Sequence, residues 1–342
     1  MAASGDATRL APSVPTTMRA AAIDRFGPPD VLALHTLPVP VPGPREVLIE
    51  LHAAGVGVWD ADVRAGTYAS GRERFPLVPG ADGAGVVVGI GVGVERFRIG
   101  HRVWASEFDF DNPTRGFSAE YVVVDADHAG QVPRQLDLRQ AGAAAATGLT
   151  ALQGIHDHLD LHQGETLLIV GASGAVGTLA LQFAKYRLAR VVATATTSGA
   201  EALVRELGAD HVIDARRDDA VQQLRALAPE GLDAVLALAG GDALERCLDL
   251  VRDGGRVAYP NGVEPAPRQR AGVRLIAYDG VAGPRQFEQL ERGVEESHLR
   301  VPIAATYPLE KAAEAHARLQ RRPVLGRVVL TIRDEETAAA MS

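Results

Sequence analysis

A glycine-rich loop near the middle of the chain is the first segment whose residues could do chemistry. Residues 171–177 follow an apolar β-type run and precede a helix rich in Leu, Ala and Gln. In such a loop Gly171 makes the tight turn, Gly174 lets the backbone approach a pyrophosphate, and Gly177 lets the helix pack on the strand. The helix N-terminus offers N–H groups to phosphates. The alternative is a glycine turn without a nucleotide, which the strand–loop–helix order disfavours. We assign to the phosphate site Gly171, Ser173, Gly174, Ala175, Val176 and Gly177.

The end of the next β-type run indicates which dinucleotide would bind. NAD-dependent enzymes normally carry Asp or Glu there to hold the ribose 2′-hydroxyl. Here the run ends in Thr196, Thr197 and Ser198, and no carboxylate occurs before Glu201. This short, hydroxyl-rich end leaves room for a 2′-phosphate, and Arg216 is a basic candidate to pair with it. The sequence therefore favours NADP(H). It remains open whether Arg216 and the arginine after it are solvated loop residues.

The pattern of elements changes along the chain. From Met18 to about Val124, short β-type runs alternate with Gly/Pro turns, which is typical of a strand-rich, barrel-like module. After an Ala-rich helical segment at 138–159, strands alternate with helices as far as about residue 277. This alternation predicts parallel crossovers and a doubly wound sheet in an α/β protein. We expect a loose arm at 1–17, a catalytic domain at 18–140 and 281–342, and an inserted nucleotide-binding domain at 141–280.

Composition excludes several classes of function. The chain has 342 residues, 46% of them apolar and 23% charged, which is enough for two packed domains. Its net charge of −8 disfavours nucleic-acid binding. No apolar run approaches the roughly 18 residues of a membrane span. The single cysteine, Cys247, excludes an intrachain disulfide and fits a reducing cytoplasm. We expect a cytoplasmic protein that acts on a small molecule.

An ordered set of segments resembles the quinone-reductase branch of the medium-chain dehydrogenases. The segments are 79–87, 100–103, 146–151, 171–177, 206–213, 253–257 and 325–330. The resemblance runs from about Met18 to Ile332. It implies a GroES-like, β-rich catalytic domain plus an inserted Rossmann domain, with the active site in a cleft between them. It also implies a homodimer, joined through the outer strand near 273–277.

The resemblance implies further site residues. Asp60 and Tyr68 match positions near the cleft and are our catalytic candidates, with Tyr68 able to donate a hydrogen bond or proton to a carbonyl. The alternative is that Asp60 caps a helix and Tyr68 only packs. Thr147 matches a position near the nicotinamide, or else packs as a small residue in the domain hinge. We also assign to the cofactor site Ala239, Asn261, Gly262 and Gly326.

The chain departs from the zinc-dependent branch of this family. Gly57 stands where the first zinc-binding Cys falls, and Ala81 stands where the His falls. Neither side chain can bind zinc, so we predict no metal. Ala200 and Ala215 replace a Lys and an aromatic residue that are common in NADPH-linked members, so we expect only a moderate preference for NADPH. Leu188 stands where a helix-ending Gly is usual.

Several other residues suggest chemistry but fit structural roles better. His156, His158 and His162 do not share one helix face as a group, because residues two apart point in different directions. The run 108–112 could hold a cation, and we interpret it as an acidic loop. Cys247 lies on a predicted half-buried helix face.

Tyr307 and Lys311 match the Tyr-x-x-x-Lys pair of short-chain dehydrogenases. That pair needs both side chains on one face of one helix. Pro308 instead predicts that a helix begins after Tyr307, so we interpret the match as a coincidence.

These observations favour an NADPH-dependent, zinc-independent oxidoreductase that passes hydride to a quinone or an α,β-unsaturated carbonyl. The cofactor would carry the chemistry, and the protein would orient the reactants. Two alternatives remain. One is an enoyl-thioester reductase, although we see no basic patch for a phosphopantetheine carrier. The other is a catalytically inactive NADPH-binding sensor.

Overall fold

The computed structural model describes residues 7–69, 71, 74–109 and 112–333. The strands are β1 (Arg9–Leu10), β2 (Thr17–Ile23), β3 (Leu32–Pro38), β4 (Glu46–Val56), β5 (Asp82–Ile90), β6 (Arg102–Ser106), β7 (Tyr121–Asp125), β8 (Ala129–Gln131), β9 (Thr166–Val170), β10 (Arg190–Thr194), β11 (His211–Ile213), β12 (Leu232–Ala237), β13 (Val251–Pro260), β14 (Arg274–Tyr278), β15 (Ile303–Pro308) and β16 (Arg327–Thr331). The helices are α1 (Val58–Ala65), α2 (Leu138–Gln153), α3 (Ala175–Tyr186), α4 (Ser198–Glu206), α5 (Ala220–Leu227), α6 (Asp242–Leu248), α7 (Pro284–Ser297) and α8 (Ala312–Leu319). None of these helices is both long and apolar enough to cross a membrane.

The first sheet joins the two ends of the chain. Its strand order is β15-β16-β4-β5-β6-β8, with β7 on β4 and β1 on β5. The long strand β4 is buried along most of its length. β16 runs antiparallel to β4 and pairs Val328 with Val56. This pairing brings Arg327, at the start of β16, beside the start of α1.

The second sheet is parallel, in the order β11-β10-β9-β12-β13-β14. Its central strands β9, β10 and β12 are buried on both faces, as parallel strands covered by helices must be. In β9, Leu167 and Ile169 enter one core, whereas Leu168 and Val170 enter another. The carboxyl ends of all six strands lie along one edge, which we call the nucleotide edge. The predicted α/β fold class, with a GroES-like part and a Rossmann sheet, is confirmed.

Helix α2 packs between the first sheet and helix α3 of the second, and its small residues make this close packing possible. It contacts β4 and β5 on one side and α3 on the other. Ala143 and Ala144 are buried, and a Cβ at Gly142 would lie 2.7 Å from the carbonyl oxygen of Ala53. The Ala-rich composition is therefore explained by close backbone approach.

Two local predictions need correction or explanation. Pro308 does not start a helix: it ends β15, pairs with Thr331, and precedes a 3₁₀ turn at Leu309–Lys311. A proline is tolerated there because it closes a strand. Leu188 ends the α3 region with φ of +59°, the left-handed conformation that explains why glycine is usual at this point.

Candidate active site

The glycine loop has the geometry of a phosphate cradle. Gly171 has φ of +86°, and its N–H donates to Thr194 Oγ1 at 3.0 Å. A Cβ at Gly177 would lie 2.4 Å from the Gly171 carbonyl oxygen, so only glycine lets α3 approach the turn. A Cβ at Gly174 would meet Gly171 O at 3.4 Å and, among the described residues, nothing else within 4 Å. The Gly174 side of the loop is therefore open to a ligand.

The residues proposed to bind the ribose meet at the end of β10. Thr197 caps α4 by accepting a backbone N–H, and Ser198 begins that helix. Arg216 Nη2 donates to the Thr196 carbonyl at 3.0 Å. Arg216 also pairs with Asp214 at 2.7 Å, which partly neutralises it. The structure thus places Arg216 beside the hydroxyl-rich end.

The remaining cofactor candidates lie along the same edge. Ala239 follows β12, and Asn261 and Gly262 follow β13. Gly326 has φ of +88°, and its N–H donates to the carbonyl of Ser173 at 2.9 Å. This bond ties the start of the last strand to the glycine loop.

Thr147 lies in α2 and is buried. Its hydroxyl donates to the Ala143 carbonyl at 2.9 Å, which leaves its lone pairs as acceptors. The preceding residue, Ala146, donates its N–H to Asp82 Oδ2 at 3.0 Å. Thr147 therefore directly follows a residue whose backbone N–H binds the buried carboxylate of Asp82.

That carboxylate belongs to a buried ion pair that sequence reasoning missed. Arg327 Nη2 lies 2.6 Å from Asp82 Oδ1, with Asp82 fully buried and the Arg327 side chain 11% exposed. Cβ atoms at Gly55 and Gly57 would each lie 2.6 Å from the guanidinium nitrogens. The two glycines therefore make the space that the guanidinium fills. Segments 79–87 and 325–330 contain the pair, and their resemblance to the family was the signal that could have found it.

Asp60 is the third residue of α1, in its first turn, and is 2% exposed. Its Oδ2 accepts the Gly57 N–H at 2.6 Å, which is a helix-capping arrangement. Burial raises the pKa of Asp60 to about 6; Arg327 opposes this shift and Asp82 adds to it. The carboxyl group thus lies close enough to Arg327 and Asp82 for both charges to affect its ionisation.

Tyr68 lies near the surface, 38% exposed, and its ring stacks on Trp59 with centroids 4.3 Å apart. Burial raises the pKa of Tyr68, and the charges of Asp62 and Asp279 raise it further. Asp279 follows β14 at the nucleotide edge, so the Tyr68 hydroxyl lies close enough to this edge for the charge of Asp279 to affect its pKa. At neutral pH Tyr68 keeps its proton.

Comparisons with known proteins identify the family of this chain. The family profile described as "Zinc-binding dehydrogenase" matches residues 207–330, and that described as "Alcohol dehydrogenase GroES-like domain" matches residues 43–134. The quinone oxidoreductase of Lama guanicoe is 33% identical, over 92% of this chain and 98% of that protein. The chain belongs to the medium-chain dehydrogenase/reductase family.

Solved structures of this family superpose on most of the chain. The quinone oxidoreductase from Coxiella burnetii has a TM-score of 0.82 and 30% identity, over 93% of this chain and 100% of that one. Mycobacterial Rv1454c complexed with NADPH has a TM-score of 0.80 and 27% identity, over 92% and 100%. The protein is therefore a quinone oxidoreductase-like member of an oxidoreductase family.

A zinc centre of the kind found in some medium-chain dehydrogenases does not fit this chain. Gly57 and Ala81 have no side-chain donor atoms, and the Arg327 guanidinium lies against Gly57. Within the described ranges, no group of three or more His, Cys, Asp or Glu residues is placed to hold a metal ion. A fixed guanidinium would also repel a divalent cation.

The other residues considered for chemistry have structural surroundings. His156 pairs with the neighbouring Asp157 at 2.8 Å, whereas His158 stacks on Tyr278 with centroids 4.4 Å apart. Cys247 is buried, and burial raises the pKa of its thiol. A buried thiol with a raised pKa is a poor nucleophile.

Tyr307 lies in β15 and Lys311 in a 3₁₀ turn, so the two do not share a helix. In the acidic run 108–112, Asp109 accepts the Asn112 N–H at 3.2 Å, as in a turn. Residues 110 and 111 of that run lie outside the described residues.

A cavity of about 410 Å³ lies between residues 135–140, Leu203 and residues 298–302. It contains none of the candidate site residues.

Proposed function

We propose that the protein transfers hydride from NADPH to a quinone or an α,β-unsaturated carbonyl without a metal. The observation that carries this proposal is the Arg327 guanidinium packed against Gly57, at a position that matches a zinc ligand. Zinc enzymes oxidise alcohols by lowering the pKa of the bound hydroxyl, and these residues supply no such site. A conjugated acceptor spreads negative charge over its π system, so one hydrogen-bond donor suffices.

The nucleotide edge supports NADPH as the cofactor. The Gly174 side of the loop is open, and the α3 N-terminus offers N–H groups to a pyrophosphate. The end of β10 carries hydroxyl groups at Thr196 and Thr197, with Arg216 beside them. When bound, the nicotinamide supplies the hydride. Residues of the chain orient the acceptor and exclude water.

Tyr68 is our candidate for the proton donor. Its raised pKa keeps the hydroxyl protonated at neutral pH, which suits a donor and not a base. Asp60 is too deeply buried to touch a substrate. We assign it a positioning role, in which it fixes the start of α1 and lies in the field of Arg327.

The test is NADPH oxidation with a panel of quinones and enones, with simple ketones and alcohols as negative controls. Tyr68→Phe should lower kcat by about 10- to 100-fold and leave the Kd for NADPH unchanged, as expected for loss of one proton donor. Robust NADP-dependent oxidation of 2-propanol, without turnover of any quinone or enone, would overturn the proposed reaction class.

Zinc independence has its own test. Purified protein should contain far less than one zinc per chain, and a chelator should leave quinone or enone turnover unchanged. One zinc per chain, together with activity lost on chelation and restored by zinc, would refute this part of the proposal.

We also propose a homodimer joined through β14. This strand lies at the edge of the parallel sheet, and Leu275 and Ile276 are only half-buried there. An open edge strand is a natural site for pairing with a second copy. Sedimentation should give a dimer, and Leu275→Lys should shift it to monomer. A monomer at all concentrations would contradict the proposal.

A further inference from the structure

Three aromatic rings beside the candidate site form what we call the aromatic face: Trp59, Tyr68 and Phe108. The Trp59 and Tyr68 planes are tilted by 31°, with centroids 4.3 Å apart. Phe108 meets Trp59 at 85°, with centroids 6.2 Å apart. Although these rings contact one another, Trp59 remains 40% exposed and Tyr68 38% exposed. The aromatic face therefore keeps part of its ring surface open to solvent.

The aromatic face flanks the positions that match zinc ligands. Trp59 lies two residues after Gly57, in the first turn of α1. Phe108 follows the residue whose N–H donates to the Ala81 carbonyl at 3.0 Å. Tyr68, the candidate proton donor, completes the set. An acceptor that takes its proton from Tyr68 would thus lie within reach of the Trp59 ring.

We propose that the aromatic face selects acceptors whose reducible double bond is conjugated to a flat aryl ring, and that Trp59 determines this preference. The inference rests on the proposed function, because it concerns the acceptor of the same site. Aromatic rings attract one another in offset-stacked and edge-on arrangements beyond the effect of buried area. The aromatic face offers both arrangements at one corner. A puckered aliphatic ring of similar size can use neither.

A matched pair of enones tests the preference. Benzylideneacetone carries a phenyl ring on its double bond, and its partner substrate carries a cyclohexyl ring at the same carbon. The measured quantity is the ratio of their kcat/KM values with NADPH in wild type and variants. Comparing this ratio between proteins cancels the intrinsic difference in reactivity. The variants are Trp59→Leu, Trp59→Phe as the conservative replacement, and Tyr186→Leu as a control at an exposed aromatic residue in α3.

Trp59→Leu should lower the phenyl-to-cyclohexyl ratio by about three- to tenfold, the effect expected of one aromatic contact. Trp59→Phe should keep most of the wild-type ratio, and Tyr186→Leu should keep all of it. A ratio in Trp59→Leu within twofold of wild type, or an equal loss with both enones, would overturn the proposal. Because Trp59 is partly exposed, we expect Trp59→Leu to fold, and the helical signal of each variant checks this.

A binding measurement separates this proposal from the proposed function. Benzylacetone lacks the conjugated double bond, so its binding can be measured without hydride transfer. The chain has two tryptophans, and Trp104 is fully buried, so binding at the aromatic face should change the emission of Trp59. We expect a saturable change in wild type, with a Kd for benzylacetone about three- to tenfold lower than that for its cyclohexyl analogue. With no turnover of any quinone or enone, this result would still support the aromatic face while refuting the function. No saturable change in wild type would refute the aromatic face, even in an active enzyme.

Discussion

The titration of Asp60 gives a quantitative test of the buried charge cluster, by which we mean Asp60, Asp82 and Arg327. Its pKa rises from 3.8 to about 6, chiefly through burial and further through Asp82, against the opposing effects of Arg327 and the N–H groups of Gly57 and Ala81. A tenfold change in an ionisation equilibrium is worth about 1.4 kcal/mol. Ionised Asp60 therefore lowers the free energy of unfolding by about 3 kcal/mol relative to its protonated form.

The sign follows from the raised pKa. The folded state holds the proton more tightly than the unfolded state, so the stabilising contribution is full below about pH 3.8 and is lost as the pH rises to about 6. Asp60→Asn removes this titration, and its amide oxygen can still accept the Gly57 N–H. The free energy of unfolding of Asp60→Asn, minus that of wild type, should increase by about 2 kcal/mol between about pH 4.5 and about pH 7.5.

Urea unfolding at a series of pH values measures this difference. Asp218→Asn is the matched control, because it removes the same charge from an exposed position. Its difference from wild type should stay within about 0.5 kcal/mol across the same range. Parallel pH profiles for Asp60→Asn and wild type would show that Asp60 has an ordinary pKa and that the description of the charge cluster is wrong.

Three further substitutions follow from the structure. Arg216→Ala should weaken NADPH binding by about tenfold and leave the Kd for NADH unchanged, because it removes one charged hydrogen bond that Asp214 already partly neutralises. Arg217 pairs with another carboxylate, so Arg217→Ala should change the Kd of neither cofactor. Equal weakening of NADPH and NADH binding by Arg216→Ala would show that the wrong residue was chosen. Leu188→Gly should raise the free energy of unfolding by about 0.5–1 kcal/mol in urea unfolding, because it relieves a left-handed residue that is 63% exposed, and a loss would contradict this. Gly57→Ala should lower it by about 1–3 kcal/mol, because the new methyl group displaces the guanidinium from beside the turn; unchanged stability would mean that the site adapts freely.

The nucleotide edge could be predicted from the sequence because local pattern determines its parts. The residues of β9, the glycine loop and α3 are contiguous, and apolar runs followed by spaced glycines specify strand, turn and helix without distant contacts. For the same reason, the strand–helix alternation that the sequence predicts up to about residue 277 is observed from β9 to β14, with α3 to α6 between the strands. Arg216 lies near Thr196 because β10 and β11 are parallel neighbours in the sheet.

The chemistry at the other side of the site was decided only by the tertiary structure. Asp82 and Arg327 are 245 residues apart, and each sits in a segment whose local pattern indicates only a strand. Their contact depends on the register of β16 against β4, and on glycines at 55 and 57 that leave room for a guanidinium. The proximity of Trp59, Tyr68 and Phe108 likewise depends on how α1 and the loop after β6 pack. Burial makes the contact between Asp82 and Arg327 strong, because opposite charges attract strongly where distant segments together exclude water.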